Sequence, residues 1–591
     1  MATTIDKDAD LLKAPVATLE EMQHWTSVLG RAQQMLVEYA ADSLAGAEGP
    51  QAALSLPAIG NMPAWSEDTE KYARLQADFW SDGLKLWQHF LPAKGEDSPA
   101  DKDRRFASPE WRSHPLFDLI RQSYLILSDM LLKSIDTLEG IDPKQREQVR
   151  FATRAFVDAL SPSNFAFTNP QVIEKTITTH GENLLIGLRR MLDDMRKGQL
   201  THTDLSAFKL GENIAATPGK VIRETPLYQL IQYTPVTEKV NAIPLLIFPP
   251  WINRFYILDL NPRNSFIRWA VEQGLTVFVV SWKSADASMI DVTMDDYVVG
   301  GMIDAIDTVR DLLDVPAVHT IGYCVAGTAL SMALAWLAAR GEDDKVASAT
   351  FFTAQVDFSR AGELTLLVDD QMLKVIEALS AETGFLDGRY MALTFNLLRG
   401  RDLIWNYVVN NYLMGADYPA FDLLYWNGDT TNLPAKWHAA YLRDLYRDNK
   451  LVEPDALRIA DVPIDLTRIK TPAYIQAGRE DHIAPAASVW KLTNHLRGPI
   501  RFVLAGSGHI AGVVNPPSSG KYQYWTNDAN LHSLEAFVAG AKETKGSWWP
   551  DWLQWIESHC GDKVPANKGR IPGKGKLKAL EDAPGRYVRT R

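Results

Sequence analysis

The sequence has very few cysteines: Cys324 and Cys560 are the only two among 591 residues. Two cysteines cannot form a disulfide framework, and they cannot form a thiolate metal site on their own. The 12 histidines are scattered, without HExxH or another spacing that is typical of metal ligands. We therefore expect no bound metal and no other cofactor.

Long apolar runs are also missing. No stretch approaches the roughly 18 consecutive apolar residues of a membrane span, and the polar start Met1–Lys13 lacks the apolar core of a secretory signal. Positive charge is not in excess either, because the formal net charge is −12. This balance argues against nucleic acid as the main partner. Together these absences predict a protein of the reducing cytoplasm with no membrane span.

The C-terminal end is a local exception to the acidic balance. From Lys563 to Arg591 there are nine basic residues, whereas Glu581 and Asp582 are the acidic ones. Runs of like charge with glycine and proline between them are usually solvated. We therefore expect a loosely ordered tail here rather than a binding arm.

The length of the chain predicts more than one domain, because a single core seldom exceeds about 250–300 residues. Residues 1–205 have apolar residues at helical spacing, for example in Leu116–Leu138 and Asn183–Met195, and almost no strand-like runs. The pattern changes near a turn signal at 217–219. We predict a mainly helical N-terminal domain over 1–205 and a second domain over 206–591.

The second domain alternates strands with helices, and its strands are apolar throughout. The predicted strands are the runs LYQLIQY, IPLLIF, LTVFVVSW, AVHTIGY, ATFFTAQV, AYIQA and IRFVLA, which begin at residues 227, 243, 275, 317, 349, 473 and 500. Helices are predicted over 296–313 and 325–340. This pattern indicates an α/β domain whose parallel sheet is covered on both faces.

Residues 360–445 interrupt the alternation. They are helical, loop-rich and aromatic, without a clear strand. An insertion between the later strands would lie over the carboxyl ends of the strands, where the active sites of open α/β sheets are found. We therefore predict a cap or lid over about 360–445.

A candidate nucleophile follows the strand AVHTIGY. The sequence continues as GYCVAG over 322–327, and a predicted helix begins at once, which is the context of a G-x-nucleophile-x-G turn. The residues two before and two after the nucleophile must be small: Gly322 fits, and Ala326 replaces the usual second glycine. The helix N-terminus directs unpaired N–H groups at the sulfur and favours a thiolate. We predict Cys324 as the nucleophile and the Val325 amide as an oxyanion donor; the alternative is that Cys324 is a small buried apolar residue.

Two later strands lead into candidate partners of Cys324. AYIQA is followed by GREDHIAP with Asp481, and IRFVLA is followed by GSGHIAG with His509. Nucleophile, acid and histidine in this chain order are typical of an α/β-hydrolase fold. Glu480 competes with Asp481 for the acid role, but Asp481 lies further into the turn. We expect His482 and Cys560 to be structural.

The loop PPWIN, which begins at Pro249 after the strand IPLLIF, is a second candidate oxyanion element. In α/β hydrolases the loop at this place often supplies the second N–H donor. We assign that role to Ile252; the alternative is that the loop is only a rigid turn.

Longer motifs resemble those of polyhydroxyalkanoate synthases. They are GYCVAGT, PPWINRFYILDL, FNLLRGRDLIWNYVVNNYL, FDLLYWNGDTTNLP, GREDHIAP, GSGHIAGVVNPP, GSWWPDWLQWI and APGRYV. The resemblance extends from about residue 60 to the C-terminus, and the full N-terminal domain in one chain resembles class I, the single-subunit type. It implies an α/β-hydrolase fold with a helical cap insertion.

The resemblance also implies a function. The substrate would be an (R)-3-hydroxyacyl-coenzyme A (CoA), usually of three to five carbons, and the product a polyester that grows at the surface of cytoplasmic granules, on a homodimeric enzyme. By motif, Cys324 would be acylated with His509 and Asp481 as its catalytic partners. Arg399 matches a position linked to CoA binding, and a salt bridge to Asp402 is the alternative for its side chain.

Other interpretations remain open at this point. The residues of the triad fit a thioesterase on the same fold equally well, and a granule-coating protein with a vestigial site is a further alternative. The tryptophans of the GSWWPDWLQWI run fall on one helical face, where we expect them to pack against the catalytic body; contact with the polymer is the alternative. They are Trp548, Trp549, Trp552 and Trp555.

Overall fold

The computed structural model of this chain describes residues 103–529 and 531–590, together with residues 24, 27, 28, 31–36 and 81. The chain divides into two compact units, the first formed by Met1–His202 with Phe395–Tyr418 and the second by Thr203–Thr394 with Pro419–Arg591. The division after His202 lies near the boundary that we predicted at residue 205. The segment Phe395–Tyr418 belongs to the first unit, although we expected it within the cap of the second domain.

The described part of the first unit is built from helices, as predicted. They are α1 (Glu110–Ser113), α2 (Pro115–Ser134), α3 (Pro143–Ala159), α4 (Pro170–Thr178) and α5 (Glu182–Lys197). Asp142 caps α3 by accepting the N–H of Gln145 at 2.9 Å, and Pro143 occupies the first helical position, where no N–H is needed. Helix α5 ends at Gly198, whose φ of 67° suits a residue without a Cβ.

The segment Phe395–Tyr418 packs on α5 through close contacts. Gly187 permits this approach, because a Cβ built on it would lie 1.6 Å from the carbonyl oxygen of Tyr412. The Tyr412 hydroxyl donates to Asp194 Oδ2 at 2.7 Å. These contacts join residues more than 200 positions apart, so the local pattern of residues could not reveal them.

The described residues of the second unit form an 11-stranded sheet and three two-stranded ones. Their strands are β1 (Gly219–Glu224), β2 (Tyr228–Tyr233), β3 (Lys239–Asn241), β4 (Leu245–Phe248), β5 (Val277–Trp282), β6 (Val318–Tyr323), β7 (Val346–Phe352), β8 (Phe385–Leu386), β9 (Leu433–Pro434), β10 (Leu457–Ile459), β11 (Val462–Ile464), β12 (Ala473–Gly478), β13 (Ile500–Ala505), β14 (Gln523–Thr526), β15 (Lys542–Lys545), β16 (Lys563–Pro565) and β17 (Glu581–Asp582). The large sheet has the order β15-β14-β13-β12-β7-β6-β4-β5-β2-β1-β17. Its middle strands, from β13 to β5 in this order, are parallel, and the flanking strands are antiparallel.

Two separate hydrophobic clusters share the strands of this sheet, so it is buried on both faces, as expected for parallel strands. The helices that follow along the chain are α6 (Phe266–Glu272), α7 (Asp304–Leu313), α8 (Val325–Arg340), α9 (Asp370–Ser380), α10 (Gly388–Leu398, which crosses into the first unit), α11 (Asp422–Gly428), α12 (Ala435–Tyr441), α13 (Ala486–Trp490), α14 (Leu492–His495), α15 (Leu534–Ala539) and α16 (Trp549–Glu557). Helix α8 is apolar on all sides and buried from Val325 to Leu337, because it packs between the sheet and other elements. In the described part of the chain, no helix is long and apolar enough to cross a membrane.

Two details of the predicted elements differ from the structure. The helix expected over 296–313 is a π-helix at Asp296–Ile303 before it becomes α7; within this π-helix, Gly301 packs closely against the ring of Trp282. The cap region was expected to have no strand, but β8 pairs with β9 over two residues.

The expectation of a loosely ordered C-terminal tail is wrong. Strand β16 pairs with β3, and β17 pairs with β1. Arg570 is buried and donates to the carbonyl oxygens of Asn241 and Ala242 and to the Thr276 hydroxyl, at 3.0, 2.6 and 3.0 Å. Partners that lie some 300 residues earlier in the chain hold the tail in place, which a count of local charges cannot reveal.

Candidate active site

Cys324 lies at the tip of the turn between β6 and α8. Its φ of 54° and ψ of −125° are strained for a residue with a side chain. Main-chain bonds hold this conformation: the Cys324 N–H donates to the Phe352 carbonyl at 2.9 Å, and its own carbonyl accepts the N–H of Gly327 at 2.9 Å. The turn therefore presents the sulfur at the carboxyl end of the parallel strands.

Strand β6 and helix α8 approach each other closely at Gly322 and Gly327. A Cβ on Gly322 would lie 2.6 Å from the Cα of Gly327, and a Cβ on Gly327 would lie 2.3 Å from the Cβ of Ala354. We expected the second small position at Ala326, two residues after the nucleophile. In the structure the small residue at this contact is Gly327, one residue later.

The two predicted oxyanion donors have different surroundings. Val325 is the first residue of α8, so its N–H has no acceptor within the helix. Ile252 lies in the loop after β4, and Thr431 bonds to the residues on both sides of it. The Thr431 hydroxyl donates to the Trp251 carbonyl at 2.7 Å and accepts the N–H of Asn253 at 2.8 Å.

The structure brings His509 and Asp481 together. The Nδ1 of His509 lies 2.7 Å from Oδ2 of Asp481, and both side chains are buried. The other carboxylate oxygen of Asp481 accepts the N–H groups of Ile483 and Ala484 at 2.8 and 2.9 Å. These hydrogen bonds hold the carboxylate in place. Because Asp481 contacts Nδ1, the other ring nitrogen, Nε2, is available for proton transfer with Cys324.

The pKa of His509 reflects opposing effects. Burial lowers it, but the negative charges of Asp481 and Cys324, and the hydrogen bonds that both side chains make to the imidazole, raise it more. The net result is a pKa of about 10, well above the ordinary 6.5. A nucleophile, a base and an orienting acid in this geometry can carry out acyl transfer through a covalent intermediate.

The other residues considered from the sequence are arranged as follows. Glu480 is exposed, whereas Asp481 is buried beside His509, which favours Asp481 for the acid role. Cys560 is buried, and burial raises the pKa of its thiol to about 11, which suits a structural residue. Arg399 belongs to the first unit, where it pairs with Asp402 at 2.7 Å on the surface.

Sequence reasoning missed the residues that support the loop of His509. The Tyr323 hydroxyl donates to the His509 carbonyl at 3.0 Å. The indole N–H groups of Trp548 and Trp549 donate to the carbonyl oxygens of Gly512 and Val513 at 2.7 and 2.9 Å. We expected these tryptophans to pack against the catalytic body, and their burial agrees with it. Their hydrogen bonds to this loop could be recognised only in the tertiary structure.

In the described residues, no group of three or more histidine, cysteine, aspartate or glutamate side chains is arranged to hold a metal ion.

Comparisons with known proteins agree with the fold. A family model described as "Poly-beta-hydroxybutyrate polymerase (PhaC) N-terminus" matches residues 102–270, and one described as "alpha/beta hydrolase fold" matches residues 245–516. The sheet and the second match define the chain as an α/β-hydrolase-fold protein.

Curated relatives define the family more closely. The chain is 44% identical to the "Poly(3-hydroxyalkanoate) polymerase subunit PhaC" of Rhizobium meliloti, over 89% of this chain and 87% of that protein. It is 45% identical to the "Poly(3-hydroxyalkanoate) polymerase" of Methylorubrum extorquens, over 89% and 88%. It is 43% identical to the PhaC subunit of Cupriavidus necator, over 92% of both chains. The chain therefore belongs to the poly(3-hydroxyalkanoate) polymerase (PhaC) family, whose members are acyltransferases of the α/β-hydrolase superfamily.

Proposed function

We propose that this chain polymerises (R)-3-hydroxyacyl-CoA into polyhydroxyalkanoate with release of CoA, as a class I synthase that favours short-chain monomers. The observation that carries the proposal is the position of Cys324 at a strained strand–helix turn, with His509 held at 2.7 Å by Asp481. The relatives named poly(3-hydroxyalkanoate) polymerases support a polyhydroxyalkanoate product.

The first step transfers the acyl group to Cys324. The thiolate attacks the thioester carbonyl carbon, and the charge that develops on the carbonyl oxygen is stabilised by the N–H groups of Val325 and Ile252. When the C–S bond to CoA breaks, the imidazolium of His509 gives its proton to the departing thiolate. The products are an acyl thioester on Cys324 and free CoA.

The second step forms the ester bond. The hydroxyl of a growing chain or of another monomer attacks the Cys324 thioester, His509 takes the hydroxyl proton, and the Cys324 thiolate is released. Asp481 stabilises the imidazolium formed in this step. A cysteine suits these two steps. Transfer of the acyl group from one thioester to another changes the free energy little, whereas transfer from a thioester to an oxoester is favourable.

Water must be kept from the acyl-enzyme, or hydrolysis replaces polymerisation. Aromatic residues of the cap region are suited to this task. Trp437 of α12 is buried, and its ring lies 5.2 Å from that of Trp251 and 5.0 Å from that of Tyr441. We propose that this aromatic group excludes water from the thioester.

Arg399 is proposed to bind the CoA part of the substrate. Its side chain is half exposed and its pair with Asp402 is a surface ion pair, which contributes at most about 1 kcal/mol. A phosphate could therefore replace Asp402 at little cost. We also propose a functional homodimer in the cytoplasm, at the surface of polyester granules.

A product assay tests this function. Purified protein is incubated with (R)-3-hydroxybutyryl-CoA, and both the released CoA and the product are measured. A polymerase gives CoA and insoluble polyester, and a thioesterase gives CoA and free 3-hydroxybutyrate. A granule-coating protein with a vestigial site gives no CoA, so each rival function has its own result.

A further inference from the structure

The hydroxyl of Thr431 bonds to the residues on both sides of Ile252. Thr431 donates to the Trp251 carbonyl at 2.7 Å, so this carbonyl points towards Thr431. In a planar trans peptide the C=O and the next N–H point in opposite directions. The N–H of Ile252 is therefore turned away from Thr431, and the position of Thr431 sets its direction.

Thr431 is in turn held by a buried arginine. Arg254 pairs with Asp429 at 3.4 Å and donates to the Thr430 carbonyl at 3.4 Å, so it contacts the two residues that precede Thr431. Asp429 also accepts the Tyr256 hydroxyl at 2.7 Å. The side chains of Arg254 and Asp429 are 1% and 2% exposed, so solvent cannot replace these bonds.

The remaining donors of Arg254 bind the C-terminal segment of the chain. They donate to the carbonyl oxygens of Tyr587 and Thr590 at 3.1 and 2.7 Å. This segment is itself attached to the sheet, because the Tyr587 hydroxyl donates to the Thr225 carbonyl at 2.6 Å and its N–H donates to Gln229 at 3.1 Å. A chain of contacts thus runs from β2 and the turn before it through Tyr587–Thr590 and Arg254 to the Ile252 loop.

We propose that Arg254 and the C-terminal segment Tyr587–Thr590 are a positioning device for the oxyanion site: by fixing Thr431 they set the direction of the Ile252 N–H. The guanidinium can hold Asp429 and three carbonyl oxygens together because it is planar and has five donors. A lysine at this place keeps the charge but cannot hold all of them. The inference rests on the proposed function, since Ile252 acts as a donor only when a thioester is attacked at Cys324.

Two reactions of Cys324 separate this role from a general structural one. Acylation by (R)-3-hydroxybutyryl-CoA, measured as the first burst of CoA, needs the oxyanion donors. Alkylation of the same sulfur by iodoacetamide needs a reactive and accessible thiolate but no oxyanion donor. Removal of one oxyanion donor typically slows acyl transfer by about 10²- to 10³-fold. The ratio of the two rates therefore reports the oxyanion site itself.

The test variants are Arg254→Lys and Thr431→Val. The second variant removes the Thr431 hydroxyl and leaves Arg254 in place. We expect both to slow acylation by about 10-fold or more and to leave alkylation within about twofold. The matched control is Arg570→Lys, since Arg570 is also buried and donates to main-chain carbonyls, but of Asn241 and Ala242. This control should keep the wild-type ratio.

The outcomes are distinct. A fall in acylation alone, in Thr431→Val and in Arg254→Lys, supports the inference. Equal falls in the acylation rate and the alkylation rate would overturn it. So would an unchanged ratio of acylation rate to alkylation rate in Thr431→Val. A wild-type protein that is alkylated but releases no CoA contradicts the proposed function instead.

Discussion

Replacing Asp481 by asparagine should separate the two chemical steps. One oxygen of Asp481 accepts the N–H groups of Ile483 and Ala484, and the other lies 2.7 Å from Nδ1 of His509. The amide oxygen of asparagine must keep the two N–H bonds, so its NH₂ group faces Nδ1. The imidazole then carries its proton on Nε2, where it cannot receive one from Cys324 or from a hydroxyl.

The two steps differ in how much they need this base. Thiols are already ionised to a few per cent at pH 7, so acylation can proceed from the thiolate that is present. A hydroxyl is far less acidic and needs the base in every cycle. Asp481 is also one of the charges that raise the pKa of His509, and asparagine removes it. We expect Asp481→Asn to keep the acylation burst and to elongate about 10²-fold more slowly, which corresponds to about 2.7 kcal/mol in the barrier.

Rapid-quench measurement of CoA release from (R)-3-hydroxybutyryl-CoA tests this expectation. The burst reports acylation of Cys324, and the later steady rate reports elongation. His509→Ala is the comparison: it should lose both phases, because it removes the proton donor to the departing CoA thiolate in acylation as well as the base for the hydroxyl in elongation. Equal losses of burst and steady rate in Asp481→Asn would refute the reasoning, since the aspartate would then serve both steps alike.

Three other changes test further parts of the structure. Gly327→Ala places a Cβ 2.3 Å from that of Ala354, and we expect a loss of about 1–3 kcal/mol in the free energy of unfolding by denaturant titration; an unchanged value would contradict the close contact. Trp549→Phe removes the donor to the Val513 carbonyl and should lower the same free energy by about 1–3 kcal/mol. His319 has a pKa that burial lowers to about 3 from 6.5, so between these values the unfolded chain binds a proton that the folded chain does not. Stability should fall as the pH drops through this window, by up to about 1.4 kcal/mol per pH unit, and His319→Asn should flatten the slope; a profile parallel to the wild type would contradict this.

Local patterns were sufficient to predict the elements around the nucleophile. Strand β6 and helix α8 have strong signals, an apolar run and a small-residue-rich helix, and α8 begins and ends where predicted. The pairing of Asp481 with His509 also followed from sequence, because each is placed directly after a parallel strand and neighbouring strands end at the same edge.

Features that depend on distant contacts could not be predicted in this way. The order of the C-terminal tail depends on bonds such as that from Arg570 to Asn241. The assignment of Phe395–Tyr418 to the first unit depends on the approach of Tyr412 to Gly187. The glycine requirement at Gly327 comes from its distance to Ala354, which follows strand β7, and not from the spacing of the turn motif.

The central claim is that Cys324 carries the acyl group during polymerisation. Wild-type protein and Cys324→Ala are each quenched early in the reaction with (R)-3-hydroxybutyryl-CoA, and their proteolytic peptides are analysed by mass spectrometry. We predict an acyl thioester on the Cys324 peptide of the wild type, and neither a covalent adduct nor CoA release from a folded Cys324→Ala variant. Polyester formation or acyl labelling in Cys324→Ala would contradict the account.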